Sequence, residues 1–187
     1  MKKLSTLAVM AVMALQLNAQ TTTTLPAPDK SLKMTLMEAL AGRKSNREYA
    51  QEPVSDVHLA TLLWAATGVN RPDSKKLTAP SAINAQDIRV YVCRQDGAYL
   101  YNPSGNTLEK VSSQDLRTAL AGRQTAVATA PMFLLLVSDQ EKFGENAGEH
   151  TQLMGAVDAG YISQNIYLAC TALGLHTVRV QRWSRNR

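Results

Sequence analysis

The run Met132-Phe133-Leu134-Leu135-Leu136-Val137 constrains this 187-residue chain more than any other stretch. It has the length of a strand and no polar position, so it predicts a strand buried on both faces. Such a strand needs apolar partners, and the rest of the sequence offers them in two periods. Leu36, Ala39 and Leu40 stand at the i, i+3, i+4 spacing of a helix over Thr35 to Ala41, with Gly42 placed to relieve a left-handed turn at its end. Ser55 caps a second helix, whose stripe is Leu59, Leu62, Leu63 and Ala66 and whose end is Gly68. A long helix is expected from Glu149 to Leu173. Val90 to Cys93 reads as a strand. Tyr99 to Tyr101 and Thr107 to Val111 form a hairpin around the connection Asn102-Pro103-Ser104-Gly105-Asn106. Ser112 or Ser113 then caps a helix through Leu116, Ala119 and Leu120, closed by Gly122, and Thr177 to Val180 starts another strand. No internal repeat interrupts this order, which predicts one mixed α+β domain.

The first residues read as an address rather than as fold. Lys2 and Lys3 precede the apolar run Leu7 to Leu15. As a helix that run spans roughly 14 Å, half a bilayer core, which is too short to cross and suits the core of a signal peptide. Leu17-Asn18-Ala19 places cleavage before Gln20, so residues 1–19 predict export, to the periplasm or beyond; a buried N-terminal helix is the alternative. Thr21 to Lys30 is rich in threonine and proline without periodicity, and residues 20–34 are expected to be a linker.

The formal charge of +5 misleads. Setting aside Lys2, Lys3 and the four arginines Arg179, Arg182, Arg185 and Arg187 leaves 14 basic against 15 acidic side chains. A body with that balance lacks the electrostatic footprint of a nucleic-acid binder. Hydrophobic content of 45% excludes wholesale disorder. There is no G-x-S-x-G elbow and no G-x-x-x-x-G-K-[ST] or G-x-G-x-x-G loop. His58, His150 and His176 lie far apart. Glu145, Glu149 and His150 are read as a solvated helix start, so no metal site is expected. Cys93 and Cys170 are either one disulfide or two buried thiols.

Two segments carry chemistry. Arg43-Lys44-Ser45-Asn46-Arg47-Glu48-Tyr49 sets three cations and a hydroxyl at a chain break with free backbone N–H groups. Guanidinium groups, an ammonium and a hydroxyl together suit a phosphate, although an exposed basic turn is the plainer account. Thr78-Ala79-Pro80-Ser81-Ala82-Ile83-Asn84-Ala85-Gln86 precedes the strand at Val90. Its small residues allow close approach to a flat ligand, and Asn84 and Gln86 can donate and accept along a heterocycle edge. An ordinary polar connection is the alternative there.

In this order, the segments resemble the nitroreductase family. The resemblance rests on R-K-S-N-R-E-Y, on L-L-W-A-A-T-G-V-N-R-P from Leu62, on A-P-S-A-I-N-A-Q-D-I-R-V-Y-V from Ala79, and on G-Y-I-S-Q-N-I-Y-L-A-C-T-A-L-G-L from Gly160. It implies a mainly antiparallel sheet flanked by helices, in a domain over 35–178. It also implies a homodimer holding FMN at the subunit interface, and ping-pong hydride transfer from NAD(P)H to a nitroaromatic or quinone. By position, Arg43, Ser45 and Arg47, with Lys44 between them, would hold the FMN phosphate and ribityl chain. Pro80, Ser81, Ala82, Asn84 and Gln86 would approach the flavin. No dedicated catalytic acid, base or nucleophile is implied, because the cofactor carries the chemistry. Gly155, Ala156, Ala159, Gly160 and Ser163 form a small-residue strip that suits either a dimer contact or packing within one subunit. Residues 179–187 depart from the family pattern. They are expected to be either a nonsense extension left by a disrupted frame or an arginine cluster replacing a lost phosphate ligand. The first case implies a degenerate relative with weak or no FMN binding and no turnover.

Overall fold

The computed structural model describes residues 21–144, 148 and 150–180. The expected signal peptide, Glu145, Glu149 and the tail beyond Val180 lie outside them. In chain order the elements are β1 (Thr22–Thr24), α1 (Leu36–Gly42), α2 (Asp56–Thr67), β2 (Val69–Arg71), β3 (Lys76–Leu77), β4 (Ile88–Arg94), β5 (Gly97–Asn102), β6 (Thr107–Ser112), α3 (Arg117–Ala121), β7 (Phe133–Ser138) and α4 (Thr151–Ala172). Five strands form one sheet in the order β1-β6-β5-β4-β7, antiparallel throughout, and β2 and β3 form a separate ribbon. The expected α+β class with a mainly antiparallel sheet and helices is the fold observed.

Local chemistry explains most boundaries. Thr35 and Glu38 make a reciprocal capping box at the start of α1, and the Ser55 hydroxyl accepts the His58 N–H at the start of α2. β4 and β5 are joined through Gln95-Asp96, with Arg94 opposite Gly97. Gly97 takes φ 143°, and a Cβ there would meet the Ser112 carbonyl oxygen. The predicted hairpin is present with a connection one residue shorter, because Asn102 pairs with Thr107. Its side chain accepts the Ser104 and Gly105 N–H groups inside the turn.

The core is split by α2. Leu59, Ala60 and Leu63 pack with Val90, Val92, Tyr99, Tyr101 and Leu108 of the sheet. Leu62 and Ala66, from another side of the same helix, pack with Ile162, Ile166, Ala169 and Cys170 of α4. Burying each of these leucines contributes roughly 1.5–3 kcal/mol.

Five expectations need correction. The apolar run is a strand but not a doubly covered one: β7 is the sheet edge, its residues are half-buried and Val137 is 39% exposed. Leu134 and Leu136 pack against both core clusters. All of Met132 to Leu136 line a cavity of about 900 Å³ beside that edge. Gly42 is the last residue of α1, and the chain leaves through Arg43 in an extended conformation (φ −60°, ψ 121°), so no left-handed turn forms. Ser112 belongs to β6, and α3 instead begins beside Asp115, whose carboxylate accepts the Arg117 N–H. Thr177 to Val180 forms no strand. The linker expected over 20–34 is docked along its first part. Thr22–Thr24 pairs with β6, Leu25 is buried, the Asp29 N–H bonds Thr61, and Lys30 lies over the Trp64 ring. Local periodicity misses this because an edge strand of three threonines takes its order from its partner.

Of the two readings of the cysteines, the structure has the thiols. Cys93 and Cys170 are both buried and unbonded. Burial pushes the Cys93 thiol up and takes Cys170 to about 12. An alkylating agent near pH 8 should therefore modify neither thiol in the folded protein and both after unfolding without reductant, read by mass. Leu25→Ala should destabilise the protein by about 2–4 kcal/mol, measured as the urea midpoint; an unchanged midpoint would return the segment to a tether.

Candidate functional site

The basic loop after α1 lies across the C-terminal end of α4 and is held there by contacts distant in sequence. The Asn46 N–H donates to the Thr177 carbonyl (2.9 Å), and His176 Nδ1 donates to the Glu48 carbonyl (2.6 Å). Ser45 Oγ and the Tyr167 hydroxyl pair at 2.9 Å, and the same hydroxyl accepts the Arg179 N–H at 2.8 Å. The Arg43 guanidinium stands 5.4 Å from the Tyr167 ring centroid. Tyr167 thus gathers Arg43, Ser45 and the backbone of Arg179 around one side chain. Among the described residues, Arg43, Lys44 and Arg47 enter no ion pair; the pairs present are Arg89–Asp139, Arg94–Asp96 and Arg117–Asp115. Cations left uncompensated around a hydroxyl make a donor set for a doubly charged anion.

The second segment sits farther back on α4. Ser81 Oγ accepts the Gln86 N–H (2.9 Å), closing a tight loop, and Gln86 Nε2 donates to the Lys75 carbonyl (3.1 Å). Inside it Ile83, Asn84 and Gln86 take φ of 49°, 58° and 50°. Left-handed backbone at a β-branched residue costs on the order of 1–3 kcal/mol, so something outside the loop must hold it. Ile83 is 71% exposed, and Pro80 and Asn84 are exposed. The holder is Asp158 of α4, whose carboxylate oxygens accept the Ala82 N–H at 2.9 and 3.1 Å.

Asp158 and Asp87 are both fully buried, side by side under the loop that Ser81 and Gln86 close. Burial, with Asp87 beside it, pushes the Asp158 carboxyl above the usual carboxylate range, against the opposing effect of the Ala82 N–H. Gly155 is needed beside them, since a Cβ there would meet Ser138 Oγ and Asp87 Oδ2. That assigns Gly155 of the small-residue strip to packing within the subunit, whereas Ala156 and Gly160 are exposed.

The nine predicted residues therefore form two groups. Arg43 and Ser45 touch Tyr167, with Lys44 and Arg47 on the same loop, whereas Pro80, Ser81, Ala82, Asn84 and Gln86 belong to the loop that Asp158 holds at Ala82. Along α4 these anchors are roughly 14 Å apart. The large cavity is lined near the first group by Glu48, Tyr49, Tyr167, His176 and Arg179, and by none of the nine. Sequence reasoning missed Tyr167, His176, Asp87 and Asp158 because each acts across a long sequence separation and carries no local motif. No cluster among the described residues could hold a metal ion.

An antiparallel sheet with a central buried helix, and a basic loop and a strained loop both docked on one long helix, defines an α+β protein. The chain belongs to the nitroreductase family, whose model matches residues 40–184 and so runs into the stretch expected to depart from it. A nitroreductase-family protein of Methanocaldococcus jannaschii is 31% identical over 157 residues, which are 79% of each chain. The FMN reductase [NAD(P)H] of Bacillus subtilis is 27% identical over 157 residues, 78% of this chain and 53% of its own length. A crystal structure of a nitroreductase-family protein from Ralstonia eutropha superposes with a TM-score of 0.78 at 39% identity, covering 83% of this chain and 73% of the other.

Tyr167→Phe keeps the ring under Arg43 and removes both hydroxyl contacts. It should lower stability by about 0.5–1.5 kcal/mol and raise amide exchange at Arg179, read by hydrogen-exchange mass spectrometry.

Proposed function

We propose that this protein is an FMN-dependent oxidoreductase that passes hydride from NAD(P)H or another reductant to an electron-poor acceptor of the nitroaromatic or quinone type. The observation that carries the reading is the loop with Arg43, Lys44, Ser45 and Arg47, whose cations enter no ion pair among the described residues and whose Arg43 and Ser45 rest on Tyr167. That donor set fits a phosphate monoester. The relative named as an FMN reductase adds support. Bound flavin would supply the hydride chemistry. This chain's residues do the rest. Arg43, Lys44 and Arg47 neutralise the phosphate, and Ser45 donates to it. The exposed loop Pro80-Ser81-Ala82-Ile83-Asn84 offers a flat edge with Asn84 and Gln86 as polar contacts.

Dimerisation follows in the same reading. One subunit holds the two groups apart along α4, and a two-fold partner would bring the basic loop of one chain against the strained loop of the other. The exposed Leu153, Val157 and Tyr161, at i, i+4 and i+8 on α4, support that contact. Export through the N-terminal segment belongs to the proposal too, and favours a reductant other than NAD(P)H, which is scarce outside the cytoplasm.

The test is the visible spectrum of the purified protein, followed by FMN titration. We expect bound flavin that a quinone reoxidises after dithionite reduction. Arg43→Ala and Arg47→Ala should each weaken FMN binding about 10-fold or more, as loss of a charge-assisted hydrogen bond does, with a steeper loss in the double variant. Protein that stays colourless with added FMN would instead mark a family member without turnover.

A further inference from the structure

Asp87 Oδ1 is buried and has no N–H or O–H donor among the described groups. Asp87 Oδ2 is served: Ser138 Oγ donates to it, and Gln140 Nε2 in turn donates to Ser138 Oγ. A buried carboxylate oxygen left without a donor is costly, yet the other side chain set beside Asp87 is itself a carboxyl, Asp158. Two ionised carboxylates cannot share a buried site. The missing donor is a proton.

We propose that Asp158 is a carboxylic acid in the folded protein, that it donates its proton to Asp87 Oδ1 while accepting the Ala82 N–H, and that this link makes it the positioning residue of the strained 80–86 loop. The charged groups on the elements around the pair leave it alone. Arg89 and Asp139 engage each other at the surface, and the loop meets Lys75 through its carbonyl. Lys76, Glu141, Lys142, His150 and Tyr161 are exposed. Thr67, Ser81 and Gln86 are the neutral polar lining. Among the described residues no cation pairs with either carboxyl. The loop's left-handed Ile83 and Asn84 follow directly after the Ala82 N–H, so the acid holds the strained turn at its first peptide. That this loop would meet a flavin rests on the function proposed above; the shared proton and the anchoring of Ala82 do not.

The sign of the pH effect follows. Asp158 is protonated when folded and ionises near its ordinary value, about 4, when unfolded. Its contribution to stability is therefore complete below that value and is lost as pH rises through the raised folded value. Asp158→Asn should keep both contacts, with its carbonyl accepting the Ala82 N–H and its amide donating to Asp87, but cannot ionise. Asp158→Leu keeps the bulk and loses both.

The test uses the full chain and three readouts. Infrared spectra at neutral pH should show a protonated-carboxyl carbonyl band in the unsubstituted protein that Asp158→Asn removes. Stability should fall relative to Asp158→Asn as pH rises above about 4, until the folded carboxyl itself ionises. Amide exchange at Ala82 should stay within about 3-fold in Asp158→Asn and rise about 10-fold or more in Asp158→Leu. Absence of the band, together with parallel stability profiles for the two proteins, would overturn the shared proton. Unchanged protection of Ala82 in Asp158→Leu would overturn the positioning role. If Asp158→Leu does not fold, Asp158→Ala takes its place, and unchanged protection of Ala82 in that variant overturns the positioning role. A colourless protein with the band and a protected Ala82 would remove the cofactor reading and leave the acid pair standing.

Discussion

The burial of α2 on more than one side is the constraint on which the rest of this structure hangs. Leu59 and Leu63 seat the helix on the sheet, and Leu62 and Ala66 seat α4 on the helix. α4 reaches the sheet mainly through α2 and the apolar edge strand β7, so its seat depends on theirs. The N-terminal stretch closes the other flank, with Leu25 in the sheet-side cluster and the Asp29 N–H on Thr61 of the same helix. A helix buried along two adjoining flanks of one stripe is held against rolling, and Leu62 and Ala66 are the flank on which α4 packs.

That azimuth matters because α4 organises both halves of the candidate site. Its C-terminal part offers Tyr167 to the basic loop, and its N-terminal part offers Asp158 to the strained loop. The electrostatic characters differ. Near Tyr167 the cations are accessible and unpaired, as suits a ligand that brings its own negative charge. Near Asp158 the carboxyls are sealed, as suits a group that holds backbone rather than ligand. One helix therefore fixes the spacing between the basic loop and a backbone clamp, and a rigid helix transmits that spacing better than loops would.

The sequence carried the fold class and most elements because those depend on local periodicity and capping. The stripe Leu59, Leu62, Leu63, Ala66 and the Ser55 cap predicted α2 correctly, and the tyrosine-rich hairpin was legible from its Asn-Pro-Ser-Gly-Asn connection. Of the site, the residue types in 43–47 and 80–86 were legible as donors in the right chemical mixture, but their anchors were not. Ser45 meets Tyr167 across 122 positions and Ala82 meets Asp158 across 76, and nothing in the composition of either segment encodes its partner.

The boundary between the two kinds of information is physical. Hydrophobic spacing, capping side chains and turn residues act within a few positions, so the linear chain by itself specifies which stretches become helices and strands and which loops carry cations. Whether a strand is central or at an edge, whether Thr22–Thr24 is a tether or a sixth-strand neighbour, and which buried carboxyls meet depend on free energies shared between distant segments. β7 shows the limit most clearly: its five apolar residues demanded burial, and only the packed structure decided that sheet and helices would cover part of it and a cavity would border the rest. Asp87 and Asp158 show the same limit for chemistry, since a carboxyl becomes an acid that holds a proton only when folding brings another carboxyl beside it and removes the water.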